Sequence, residues 1–210
     1  MGSLIGSRVE RKEDKRFLTG RGQYTADINL VNQTYASFVR SPHARAQISK
    51  VDISKAKKAP GVVKILTGED LAADKIGGLI AGWKIVSQDG KDMKVPPHPP
   101  LAKDMVNYVG DHVAIVIAET LEESRNAAEL VDVSYKLKKA VVNTKDAMNS
   151  EAIYEGIDRN LCFDFLLGDK GKTDEELSKA DKVIKLDLIN NRLIPNAMEP
   201  RASIGDYNPS

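Results

Sequence analysis

The stretch Val113-Ala-Ile-Val-Ile-Ala118-Glu-Thr-Leu-Glu-Glu-Ser124 decides the fold. Its first six residues are apolar on both faces, the pattern of a strand with neighbours on either side and cover above and below. Thr120 stands three residues before Glu123, a capping box that opens a helix predicted over 121–131. Leu121, Ala128 and Val131 fall close to one stripe of that helix, with Ala127 and Leu130 beside it. Asp132-Val-Ser-Tyr-Lys-Leu137 then alternates as a half-buried strand does. Strand, helix and strand with short links predict a β-α-β unit.

Three strands are predicted before it, over 34–40, 46–53 and 62–67, each rich in β-branched or aromatic residues. Ser54 reads as the cap of a helical turn over 54–58, which Pro60-Gly61 ends, and a second turn is predicted over 68–71. Residues 72–103 hold Gly77-Gly78, Gly82, Asp89-Gly90 and Pro96-Pro97-His98-Pro99-Pro100. Prolines at that density predict a long irregular loop. Residues 1–33 read as an extended arm that packs Phe17 and Leu18 and turns at Gly20 and Gly22. After 143 the texture changes. A helical turn is predicted over 144–148, strands over 160–167 and 183–189, a helix over 173–180 capped by Thr173, and a turn over 206–210. The fold class is α+β: residues 34–143 form a domain with a mixed sheet and a β-α-β unit, and 144–210 begin a second α+β domain.

Composition closes off several function classes. The chain has 210 residues, 41% of them hydrophobic and 29% charged, which excludes collagen, coiled coil and wholesale disorder. Lys+Arg 31 against Asp+Glu 30 leaves a net charge of +1, too little excess cation to track a nucleic acid backbone. No apolar run is long enough to span a bilayer, and the first residues lack the pattern of a secretory signal, so a cytoplasmic location is expected. With Cys162 as the single cysteine, neither an internal disulfide nor a thiolate metal cage is available.

No motif supplies a complete active site. His43, His98 and His112 lie more than four residues from one another and from Cys162, so no metal-binding spacing exists. His43 after Ser-Pro reads as a turn residue, His98 as solvated in the proline loop, and His112 as the start of a buried strand. Cys162 between apolar neighbours reads as a buried, inert thiol. Gly20-Arg21-Gly22 and Gly77-Gly78 with Gly82 fail the dinucleotide fingerprint, and neither a P-loop nor a Gly-x-Ser-x-Gly elbow occurs. Lys55, Lys57 and Lys58, and Lys136, Lys138 and Lys139, lack the interleaved aromatics of a nucleic acid surface. Glu122-Glu123 and Glu175-Glu176 read as solvated helix faces. Met198-Glu199-Pro200-Arg201 reads as a surface ion pair or, alternatively, a rigid polar knot beside a pocket. No catalytic residue and no metal ligand is therefore assigned, and cofactor-binding residues stay unknown.

Several blocks together carry a resemblance. Arg11 to Tyr24 with Asp27, Phe38-Val-Arg-Ser-Pro-His-Ala44, Leu66-Thr-Gly-Glu-Asp-Leu71, Tyr108 to Thr120, Ala127 to Tyr135 and Asn191 to Ala202 follow in order. The set is similar to the N-terminal part of the molybdenum-binding large subunit of the xanthine dehydrogenase/aldehyde oxidase family, with the aerobic carbon monoxide dehydrogenase large chain the branch it resembles most. Lys136-Leu-Lys-Lys139 departs from that pattern, where the family usually has an acidic residue and a proline. The resemblance implies an α/β-hammerhead domain followed by the start of a molybdopterin-binding domain. It implies a pterin-bound molybdenum centre in the whole enzyme, which oxidises carbon monoxide, an aldehyde or an aromatic heterocycle with water-derived oxygen. It implies partners as well: the remainder of the large subunit, a flavin-binding medium subunit and an iron–sulfur small subunit. The family's metal-contacting and catalytic residues lie beyond the blocks matched here. This segment is thus expected to be a scaffold that binds no cofactor and is inactive alone. The alternative is an autonomous hammerhead module that docks another protein.

Overall fold

The structure, a computed structural model, describes residues 5–9, 11–191 and 193–208, so that Glu10, Arg192 and the end of the expected 206–210 turn lie outside the described residues. It divides into two compact units, 34–183 and 1–33 with 184–210.

The larger unit contains six strands: β1 (Tyr35–Arg40), β2 (Ala46–Asp52), β3 (Val62–Thr67), β4 (Met105–Val106), β5 (His112–Ala118) and β6 (Asp132–Leu137). Helices in chain order are α1 (Asp14–Leu18), α2 (Gly68–Ala73), α3 (Leu121–Glu129), α4 (Thr144–Ala147) and α5 (Lys170–Lys179). The α+β class holds. The expected mixed sheet resolves instead into two antiparallel sheets, β1-β5-β3 and β4-β2-β6. The physical reason lies in β5. Its backbone is taken by β1 on one side (Tyr35 opposite Ala118) and by β3 on the other (Thr67 opposite Ala114), so β6 pairs with β2. The β5-α3-β6 unit therefore bridges two sheets.

The core is built of small side chains. Ala56, Ile65, Val116, Ala127 and Val131 form one cluster, and Ala46, Ala102, Val106 and Val113 a second. Val51 and Val133 pack against both and join the sheets. Full burial of Val113 and Val116 contributes roughly 1.5–3 kcal/mol each.

Helix α3 is capped as its sequence predicts: Thr120 Oγ1 accepts from the Glu123 N–H at 3.1 Å, and the Glu123 carboxylate accepts from the Thr120 N–H at 3.1 Å. Its buried stripe differs from the expected one. Ser124 and Ala127 are fully buried, while Leu121 and Leu130 are exposed. The Ser124 and Ser37 hydroxyls meet at 2.8 Å, an approach that leaves no room for leucines at the contact line. Ser54 is not a cap. Its N–H donates to Asp52 Oδ1 at 3.0 Å, and the helical turn starts at Ala56.

The loop over 72–103 is irregular but not formless. Val86 bridges Asp92, Ser87 N–H donates to Lys91 O and Met93 N–H to Ile85 O, so 85–93 is a small hairpin turning at Asp89-Gly90. The 160–167 segment does not form the expected strand. It runs along the hairpin through Gln88 N–H to Asp164 O and Lys94 N–H to Cys162 O, bonds too sparse for a ladder. Helix α5 begins earlier than predicted. Asp169 caps it by accepting from the Lys172 N–H at 3.0 Å, and Thr173 donates its hydroxyl to Asp169 O from inside the first turn.

In the smaller unit the arm is partly helical rather than extended. Phe17, on α1, stacks on Tyr24 with ring centroids 5.7 Å apart and lies where a side chain on Gly22 would sit. Leu18, one residue on, faces away and is exposed. The strand expected over 183–189 is extended but unpaired, because no sheet edge receives it among the described residues.

Gly68 opens α2 where the chain crosses the Ala102–Lys103 backbone, and a Cβ there would stand 2.4 Å from Ala102 O. Gly68→Ala is expected to destabilise the larger unit by about 1–3 kcal/mol, measured as a lower urea midpoint at unchanged slope.

Candidate functional site

Two places gather polar side chains. The first is the corner where the chain enters β5. Asp111 is buried and accepts from the Asn107 N–H at 3.1 Å. His112, opposite Arg40 in the β1–β5 register, stacks on Phe38 at 4.4 Å and 24°. Arg40 donates to Gly110 O at 3.1 Å. Nε2 of His112 and Oδ1 of Asn107 are shielded from solvent and have no hydrogen-bond partner among the described residues. His43 sits in the Ser41 turn, its N–H donating to Ser41 Oγ at 3.0 Å, with its ring edge-on to Tyr135 at 4.9 Å. His98 is exposed, and its Nε2 lies 3.3 Å from Tyr108 Oη.

Electrostatics at this corner favour neutral groups. Burial, followed by the Asp111 charge, pushes the Tyr108 and Tyr154 phenols up, and burial does the same to Tyr135. Burial, then the nearby Arg40 charge, pushes the His112 imidazole down, against the opposing effects of Asp111 and the Pro100 carbonyl. Phenols raised in this way are poor bases and poor nucleophiles at neutral pH. The corner is a packed polar seam and not an acid–base pair.

The second place is a cleft of about 500 Å³ between the hairpin and the outgoing chain, lined by Ser87, Lys91, Lys94, Arg159, Cys162 and Asp164 among others. Two of its cations are engaged locally: Lys91 pairs with Asp89 at 3.1 Å and Lys94 donates to Gly156 O at 2.9 Å. Cys162 is half-buried between exposed Leu161 and Phe163, not the core residue expected, because its segment lies on the hairpin and not inside a sheet. Next to the cleft-lining Arg159 and Leu161, Asn160 ties down the outgoing chain: its side-chain amide donates to Ala147 O at 2.8 Å and Glu151 O at 3.1 Å, and its oxygen accepts from the Ile153 N–H at 2.7 Å.

The remaining sequence candidates stay apart. Gly20, Gly77, Gly78 and Gly82 lie on exposed loop, Gly22 is half-buried against Phe17, the two lysine clusters are exposed, and Glu123 serves α3 as its cap partner. Met198, Glu199, Pro200 and Arg201 are all exposed, so the buried polar knot does not form. Among the described residues no three His, Cys, Asp or Glu come together as metal ligands, and no helix is long and apolar enough to cross a membrane.

Sequence reasoning missed two features. Arg45, nearly buried, donates to Lys139 O at 3.2 Å and Ala152 O at 3.1 Å, tying the exit of β6 to the following loop. Nothing in its local sequence marks it. The second is the hairpin over 85–93, for which the Asp89-Gly90 turn pair was the available signal.

Residues 19–139 match the family model for the aldehyde oxidase and xanthine dehydrogenase a/b hammerhead domain. The nicotine 6-hydroxylase large subunit of Paenarthrobacter nicotinovorans is 34% identical over 205 residues, covering 98% of this chain and 24% of that protein. The carbon monoxide dehydrogenase large chain of Afipia carboxidovorans is 32% identical over 211 residues, 93% of this chain and 24% of that one. Among solved structures, reconstituted CO dehydrogenase from Oligotropha carboxidovorans superposes with a TM-score of 0.70 at 31% identity, covering 84% of this chain and 22% of that one. The chain thus spans about a quarter of the length of these curated relatives.

Because the neutral imidazole is favoured in the fold, the unfolded chain binds a proton that the native chain refuses between the ordinary value near 6.5 and the lower native one. Stability is therefore expected to fall as pH drops from 7 toward 5.5. Replacing His112 by Phe is expected to flatten that part of the urea-midpoint profile; an equally steep profile in the variant contradicts the assignment.

Proposed function

We propose that this chain, which belongs to the aldehyde oxidase and xanthine dehydrogenase family, is the N-terminal hammerhead part of a molybdenum hydroxylase large subunit and acts there as scaffold and packing module. Residues 34–143 are assigned to the hammerhead and 144–210 to the opening of the molybdopterin-binding domain, with 1–33 as an arm. In this reading the complete enzyme is cytoplasmic and oxidises carbon monoxide, an aldehyde or an aromatic heterocycle. It passes electrons to iron–sulfur and flavin subunits.

A single observation carries the scaffold role. Between 34 and 137 two buried apolar clusters form, whereas from 161 to 208 every described residue but Cys162 is exposed. Leu186, Leu188, Leu193, Ile194 and Met198 lie in water. Exposed aliphatic surface on that scale marks a face that another polypeptide covers. Two of the relatives it matches are named large subunit and large chain, and each is about four times longer than the matched region.

The described residues do not fit a metal–pterin group. The cleft is open, its lysines are engaged with neighbouring carboxylates and carbonyls, and its walls offer no buried donor set. No chemical step is therefore assigned to this chain, whose contribution is to hold a surface in place.

The test is a solvatochromic dye that brightens on apolar surface. The full chain is expected to bind it strongly, a version ending after Asn160 only weakly, and neither to oxidise an aldehyde, carbon monoxide or a heterocycle with an artificial electron acceptor. A dark full chain, or turnover by the chain alone, contradicts the reading.

A further inference from the structure

Strand β6 ends one side of the sheet β4-β2-β6, and among the described residues no backbone takes its outer edge. Lys138 N–H donates to Arg45 O at 3.0 Å and continues the β2–β6 ladder, so the even-numbered residues of β6 bond toward β2. Val133, Tyr135 and Leu137 therefore present N–H and C=O groups outward. The side chains alternate as well: Val133 and Tyr135 are half-buried, while Asp132, Ser134 and Lys136 are exposed on the other face. Asp132 stands opposite Asp52 in the register, and Lys50 bonds Asp52 at 2.7 Å and meets Asp132 only through space. Among the described residues the Lys136 ammonium forms neither an ion pair nor a hydrogen bond.

This edge is complementary to itself. Laid antiparallel against a second copy, with a two-fold axis through Ser134, Val133 faces Tyr135 of the second copy, and these outward-bonding residues exchange N–H and C=O groups. In the same register Asp132 faces Lys136 of the second copy, once on each side of the axis, and that ammonium comes beside a carboxylate whose own strand neighbour is Asp52. Leu137, 67% exposed, comes next to Leu130 of the second copy, 43% exposed. A slip of one residue mismatches the backbone groups, and a slip of two separates the charges.

We propose that the β6 edge is a docking site for a second copy of this chain, joining two β4-β2-β6 sheets into one continuous sheet. The occupant follows from the match of backbone, charge and apolar ends with their own two-fold images, independently of the scaffold reading above. At six residues the edge is short, so the dimer exchanges readily with monomer.

Sedimentation equilibrium of the full chain tests this. Self-association is expected, weakening as salt rises. Asp132→Lys and Lys136→Asp each set like charges across the axis and are each expected to weaken association at least about tenfold. Mixed in equal amounts, the two variants are expected to recover it, because one then carries cations at both positions and the other carboxylates. Recovery also shows that both variants are folded. In a Cys162→Ser background, Ser134→Cys is expected to cross-link the copies on mild oxidation, since opposed residues of a non-hydrogen-bonded pair lie about 4.5 Å apart between Cα atoms. Glu69→Cys, exposed on α2, is expected not to. A chain that stays monomeric overturns the proposal, as does weakening in the single variants with no recovery on mixing. Association that ignores both reversals and leaves Ser134→Cys uncross-linked also overturns it, and assigns self-association to the exposed apolar residues beyond 160. None of these outcomes touches the scaffold reading.

Discussion

A strand that is apolar on both faces has to be enclosed, and the rest of the larger unit follows from enclosing β5. Val113 and Val116 are fully buried, and β1 and β3 take both backbone edges. Occupied edges leave β6 nowhere to go beside β5. The chain uses α3 to carry it to β2, and the second sheet forms from that displacement. Closeness makes this workable: Ser37, Ser124 and Ala127 let α3 lie directly on the β1–β5 surface, a contact that larger side chains would hold apart.

The same enclosure shapes the corner at His112. The ring begins β5 and stacks on Phe38, its Nε2 has no hydrogen-bond partner among the described residues, and burial followed by the Arg40 charge pushes the imidazole down. The surrounding phenols are pushed toward their protonated forms by burial. The hydrogen bonds of Asp111 and Arg40 at this seam fix where the chain turns into β5. Arg45 and Asn160 then fix the route away from the sheets by bonding to main-chain carbonyls on the outgoing segment.

Local signals made much of this legible. The double-sided apolar run, the Thr120–Glu123 box and the alternation of β6 each report a short-range requirement, and the folded chain satisfies each. What sequence did not carry was which edges were free. That depends on pairings dozens of residues apart, so one mixed sheet was expected where two antiparallel ones form. The segments at 160–167 and 184–189 fail in a more telling way. Their composition is that of strands, but among the described residues 160–167 makes only two backbone bonds to the hairpin and 184–189 joins no sheet, so neither forms a ladder. The polar corner at His112 was not legible, because Asp111, Arg40, Phe38 and Asn107 meet there only through the β1–β5 pairing.

The central claim is that a closed hammerhead core carries an uncovered apolar tail. Amide hydrogen exchange on the isolated 210-residue chain tests it most directly. Peptides over 113–118 are expected to exchange only through global unfolding, and those over 193–208 within seconds. Comparable slow exchange in both regions, or fast exchange at 113–118, would contradict it.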